Sequence, residues 1–158
     1  MDERIDYLND PSAPKANSLV PSANVIVVND QDEILMIRRT DNDNWAIPGG
    51  GMDLGESITG TAVRETQEET GIICEITGLV GIYTNPRHVI RYASNDEVRQ
   101  EFSVVFTARP IGGELRSSTE SSEPQWISPA AAADRQMHPS MRQRIQHYLD
   151  ERSAPYLG

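Results

Sequence analysis

A single cysteine, Cys74, stands among the 158 residues, so no intrachain disulfide can form. Its neighbours Ile72, Ile73 and Ile76 are apolar, the setting of a buried structural thiol rather than a reactive one. Long hydrophobic runs are missing as well: no stretch approaches the ~20 apolar residues that a membrane span needs. Positive charge is scarce, with 14 Lys and Arg against 24 Asp and Glu and a net charge of −10. General nucleic-acid binding needs a basic footprint to displace phosphate counterions, and this balance excludes it. An acidic chain can still hold an anionic ligand if a cation brings the two together, so the charge favours a cation-dependent site. The first residues, MDERIDYLNDPSAPKANS, are acidic and polar and lack the apolar core of a signal peptide, which makes the cytoplasm the expected location.

What is present is ordinary for a globular domain: 37% hydrophobic and 24% charged residues, in a length that suits one domain with a real core. Residues 1–22 carry Pro11, Pro14 and Pro21 without periodicity and read as a flexible or loosely docked extension. Residues 23–152 read as the domain proper, and 153–158 as a C-terminal tail. Ala23 to Val28 and Ile34 to Arg39 are Val/Ile-rich strands, and the Asn29-Asp30-Gln31-Asp32 turn between them predicts a hairpin. A helix is expected from about Ser57, a good N-cap, to Thr70, with Gly71 placed to end it. Strands follow over Ile73 to Tyr83 and Glu101 to Arg109. Gly112-Gly113 is read as a turn, Trp126-Ile127-Ser128 as a short final strand, and Pro139 to Arg152 as a terminal helix with Met141, Ile145, Tyr148 and Leu149 at helical spacing. Strands before, between and after helices predict an α/β fold with a mixed sheet.

The most informative stretch runs from Gly50 to Ile72, GGMDLGESITGTAVRETQEETGI. Its spacing is Gly-x5-Glu-x7-Arg-Glu-x-x-Glu-Glu-x-Gly-Ile, through Gly50, Glu56, Arg64, Glu65, Glu68, Glu69 and Gly71. Seven such fixed residues match by chance about once per 10^8 windows. Glu65, Glu68 and Glu69 share a helix face within about 100° of arc, beside the strip of Ala62, Val63, Thr66 and Thr70 that suits a core contact. Like charges at that spacing repel weakly, and a hard cation with oxygen ligands relieves the repulsion. Taken alone, the trio is also compatible with a solvated acidic face.

This segment resembles the signature of the Nudix hydrolases, which cleave nucleoside diphosphates linked to another group, and the flanking pattern extends the resemblance over roughly Ala23 to Ile145. One soft departure is Thr66, where the family prefers an aliphatic residue. The resemblance implies an α/β/α sandwich around a mixed central β-sheet. It implies metal-dependent hydrolysis of a diphosphate linkage by water attack at phosphorus, with Mg²⁺ as cofactor and Mn²⁺ as a substitute. It also implies Glu65, Glu68, Glu69 and the Gly50 carbonyl as the metal shell, Glu68 as ligand or proton acceptor, and Arg64 and Glu56 as supports holding the glutamates. A further acid often comes from a loop before the last strand, where Glu120 is the first candidate, Glu123 the second and Glu101 the third.

Substrate contacts are expected from Gly49 and Gly50, from whichever of Arg38 and Arg39 faces the cleft, and from Arg87 in the basic island Arg87, His88 and Arg91. Trp45 either covers the site or fills the core. The resemblance also implies a slight tilt towards ADP-ribose-like compounds, because some members that cleave ADP-ribose carry a proline near the place of Pro86, within a list that includes nucleotide sugars, dinucleotides and (d)NTPs. The partners expected are a small-molecule nucleotide and a second copy in a homodimer, without nucleic acid or membrane. The competing reading is a non-catalytic nucleotide-sensing domain, against which the complete glutamate set argues.

Overall fold

The computed structural model describes residues 4–119, 121 and 123–158. The main sheet includes β3 (Ser22–Val27), whose residues from Ala23 to Val27 are buried. The two edges of β3 are taken by β6 (Gly49–Gly51), antiparallel, and by β10 (Ser103–Gly113), parallel. The far edge of β10 pairs antiparallel with β7 (Ile72–Tyr83), and β7 pairs in parallel with β12 (Tyr156–Leu157). The result is a five-stranded mixed sheet, as expected.

Alternation along β3 sends its side chains into two cores. Ala23, Val25 and Val27 pack with Cys74, Phe106 and Ala62, the last from α1 (Ile58–Thr70). Ile26 and Val105 pack on the opposite face with Ala132 of α2 (Pro129–Ala133) and Ile145 of α3 (Pro139–Leu149). A strand covered on both faces reads as a continuous apolar run, and helices on both faces make this the α/β/α sandwich. Cys74 is buried, and burial pushes its thiol pKa up, consistent with a structural role.

The predicted hairpin is corrected. β4 (Ile34–Arg38) meets the chain leaving β3 at one bridge, Val28 to Ile34, and then joins a separate three-stranded sheet with β5 (Trp45–Ala46) and β11 (Gln125–Ile127). A strand has two edges, and both edges of β3 are occupied. Gly112 and Gly113 are not a turn either: they continue β10, facing Ile73 and Ile72. The strand at Trp126 is not the last, because β12 follows it. The terminal helix stops at Leu149, capped by Asp150, with Glu151 at φ 48°. The proline-rich beginning also carries order that periodicity did not signal. β1 (Arg4–Leu8) pairs with β8 (His88–Tyr92), and β2 (Ser18–Leu19) pairs with β9 (Val98–Gln100), in a four-stranded sheet that lies beside the glycine strand β6.

Candidate functional site

Helix α1 carries the acidic face. The Ser57 hydroxyl accepts from the Gly60 N–H at 3.0 Å, and Gly71, at φ 82°, caps the other end with its N–H on the Gln67 carbonyl. The helix buries Thr61, Ala62, Thr66 and Thr70, which turns Glu65 and Glu69 towards β6. Thr66 is wholly buried, and its hydroxyl is satisfied by the Ala62 carbonyl at 2.8 Å, so the departure from an aliphatic residue leaves no orphaned polar atom.

Arg64 organises the glutamates. Its Nε donates to Glu56 Oε2 at 2.6 Å; Nη2 donates to Glu56 Oε1 at 2.9 Å and to the Gly51 carbonyl at 3.2 Å; Nη1 donates to Glu65 Oε1 at 3.0 Å and Glu68 Oε2 at 3.1 Å. A guanidinium has five N–H groups in a rigid fork, and every one is engaged here. The bonds from Arg64, joined by the Asp53 N–H, hold the Glu56 carboxyl down at about 2, and Glu56 in turn raises the Arg64 pKa. Glu56 is therefore a brace for Arg64, as expected.

The backbone of β6 lies against this face. Glu69 is buried, and its Oε2 accepts the Gly49 N–H at 2.9 Å. A Cβ on Gly50 would stand 2.5 Å from the Glu65 carboxyl carbon, so only glycine admits this approach. Glu65, Glu68 and Glu69 line one cavity of about 240 Å³, closed by Ser118 and Thr119. The donor set around it is oxygen throughout: three carboxylates with the backbone of Gly50 alongside. That chemistry fits a hard divalent cation and no soft one. The three carboxylates do not converge as tightly as a closed shell. Among the described residues, the cluster with ligand atoms within 4.8 Å is instead Asp6, His88 and His138. Arg64 Nη1 engages one oxygen each of Glu65 and Glu68. In the histidine cluster, Asp6 already accepts from Arg4 at 2.9 Å and bonds His88 at 3.1 Å, and the two imidazoles stack at 5.2 Å instead of aiming at one point.

A narrow cleft runs along Gly49–Gly51 and Glu69, and four arginines line it: Arg4, Arg39, Arg99 and Arg144. Of the Arg38–Arg39 pair, Arg39 faces the cleft, with its guanidinium held by Asp41 at 2.7 Å; Arg38 points elsewhere, to Glu123 at 3.2 Å. Arg4 is paired with Asp6 at 2.9 Å and Arg99 with Glu97 at 2.8 Å. Burial works against both of these guanidinium charges, yet the neighbouring carboxylate raises each pKa. Arg4, Arg99 and Arg144 were not anticipated: they come from β1, β9 and α3, in stretches without a local motif.

Arg87 does not reach the cleft. It lines another cavity with Lys15 and Pro86, while His88 is buried and Arg91 extends towards Asp96 at 4.0 Å, so the basic island is dispersed. Trp45 packs on the core, with the Arg135 guanidinium 5.1 Å from its ring, and does not cover the site. Of the candidate loop acids, Glu123 is tied to Arg38, Glu101 lines the cleft, and Glu120 lies outside the described residues.

Comparison with known proteins agrees with this geometry. A model of the NUDIX domain matches residues 18–148. A MutT-like protein of Streptomyces ambofaciens is 33% identical over 132 residues, covering 82% of this chain and 77% of that protein. An ADP-ribose pyrophosphatase of Methanocaldococcus jannaschii is 32% identical, over 64% of this chain and 57% of that protein. The 8-oxo-dGDP phosphatase NUDT18 of Mus musculus is 34% identical over 60% of this chain, and this stretch spans only 27% of that longer protein. The solved structure of a UDP-X diphosphatase superposes with a TM-score of 0.68 at 21% identity, covering 94% of this chain and 71% of that one.

Proposed function

Because the chain belongs to the Nudix family and is a Nudix hydrolase, we propose that it cleaves the diphosphate linkage of a nucleoside diphosphate derivative by water attack at phosphorus. The observation that carries this reading is the cavity shared by Glu65, Glu68 and Glu69, with Arg64 bracing Glu65 and Glu68 and Gly50 packed against the Glu65 carboxylate. Glu65, Glu69 and the Gly50 carbonyl would hold Mg²⁺, or Mn²⁺ in its place, with Glu68 as the outermost ligand. The ion would neutralise charge on the diphosphate oxygens.

The rest is the work of this chain. Glu69 is fixed by the Gly49 N–H, which holds its Oε2 in place at 2.9 Å. Glu68, the most exposed of the three, is the residue positioned to take the proton of the attacking water on a carboxylate oxygen. Arg39 at the cleft wall orients the phosphate chain. A small-molecule substrate, a cytoplasmic location and a homodimer belong to the same reading; no helix among the described residues is long and apolar enough to cross a membrane.

The test is phosphate release, in a phosphatase-coupled assay with Mg²⁺, from ADP-ribose, NADH, diadenosine polyphosphates, nucleotide sugars, and normal and oxidised (d)NTPs. Turnover of a compound, abolished by EDTA and by Glu69→Gln, is the expected result. Silence across the panel from folded protein that still binds metal would replace the hydrolase with a nucleotide sensor.

A further inference from the structure

Glu101 and Arg144 are charged, buried and poorly matched to each other. Glu101 precedes β10 and Arg144 sits on α3, 9% and 2% exposed. The Arg144 Nη2 stops 3.9 Å from Glu101 Oε1, beyond hydrogen-bond length. Its Nη1 donates to Asn24 Oδ1, and its Nε has no hydrogen-bond partner among the described residues. Glu101 Oε1 takes only a long bond from the Ser22 hydroxyl, at 3.3 Å, and Oε2 lies 4.0 Å from His88 Nδ1.

Buried polar groups are nearly always satisfied, and one that is not calls for a cause. Here an under-used acceptor and an under-used donor stand side by side at a boundary. Both residues line the glycine cleft, and both line a neighbouring cavity of about 600 Å³ walled by Tyr83, Pro139 and Gln143. A volume of that order suits a small organic ligand.

We propose that Glu101 and Arg144 form a recognition pair that selects the guanine edge of a nucleotide whose phosphates lie along Gly49–Gly51. The pairing deepens the hydrolase reading and rests on the cleft being a nucleotide site. A carboxylate accepts two parallel N–H donors, one on each oxygen, and an adjacent guanidinium donates to a carbonyl. Guanine presents that order on one edge: the 2-amino group, N1–H and O6. Adenine offers one donor beside a ring nitrogen, so half of the carboxylate stays unmatched. Hypoxanthine keeps N1–H and O6 but lacks the 2-amino donor. Asn24, bound to Ser103 as well as to Arg144, is the positioning residue that fixes the guanidinium.

The test uses the full chain and calorimetric titration with GMP, IMP and AMP in EDTA, where neither metal nor turnover enters. GMP is expected to bind about tenfold tighter than IMP or AMP, a discrimination typical of one bidentate contact. Glu101→Gln should erase that preference, and Arg144→Lys provides a second variant that keeps the charge but loses the planar fork. Equal binding of GMP and AMP, no measurable binding of any of the three, or a GMP preference untouched in both variants overturns the proposal. In the turnover assay, the Glu101→Gln loss should fall on KM for guanine substrates more than for adenine ones. An equal fall in kcat for all nucleotides, with KM unchanged, would instead make Glu101 the general base and overturn the pairing. A GMP preference without metal-dependent hydrolysis would support the pairing while removing the hydrolase reading.

Discussion

Gly50→Ala separates folding from function at this site. The added Cβ would lie 2.5 Å from both Cδ and Oε1 of Glu65 and 2.8 Å from Oε2. Ordinary contact begins near 3.4 Å, so the carboxylate must retreat by about 1 Å. Gly50 is not among the glycines with positive φ, so alanine fits the backbone there. Restricting the unfolded chain stabilises by roughly 0.4–1 kcal/mol. The displaced Glu65 weakens a partly exposed bond to Arg64 worth about 0–1 kcal/mol. The two nearly cancel, and Tm should stay within about 4 °C of the parent. Catalysis should not survive equally: a 1 Å misplacement of a ligand costs about a hundredfold in kcat. Thermal unfolding and a Mg²⁺ titration of turnover, run on the same preparation, measure both. A variant that keeps more than a tenth of the parent rate at the same Mg²⁺ midpoint would refute the placement of Glu65 beside Gly50. The neighbouring Gly49→Ala is the control with the opposite outcome. Its Cβ would strike the Ala23 carbonyl and the Asn24 side chain, and backbone cannot swing aside, so stability itself should fall by about 3 kcal/mol.

Two further outcomes follow from the helix. Glu56 titrates near 2 in the folded protein against an ordinary 4.5, so its contribution to stability is complete above pH 4.5 and is lost as the pH falls through about 2. Urea unfolding between pH 5 and pH 2.5 should show a steeper loss for the parent than for Glu56→Gln, and parallel curves would remove Glu56 as the brace. Thr66→Val replaces a wholly buried hydroxyl, bonded only within its own helix turn and to Cys74, by a methyl. It should raise stability by about 0.5–1 kcal/mol, read as a higher Tm, and a drop of that size would mean the hydroxyl is needed where it is.

The glutamate helix was legible because it is local. Its cap at Ser57, its end at Gly71 and the common face of Glu65, Glu68 and Glu69 all follow from 3.6-residue periodicity and from residue types within one segment. Arg64 is legible for the same reason, since its partners Glu65 and Glu68 lie within one turn. The mixed sheet was readable from Val- and Ile-rich runs, but strand pairing was not. The hairpin after β3 looked secure from its turn, yet β6, which follows β4 in the chain, takes the edge of β3 that β4 would need. Glu101, Arg144, Arg4 and Arg99 became a cleft wall only in three dimensions, because no spacing rule links β1, β9, α3 and the residue preceding β10. The sequence by itself determined the chemistry of the acidic face, whose glutamates and arginine lie on one helix. The tertiary structure alone decided which distant side chains border the ligand, because those positions are set by sheet order and helix docking, in which contacts between remote segments outweigh local preference.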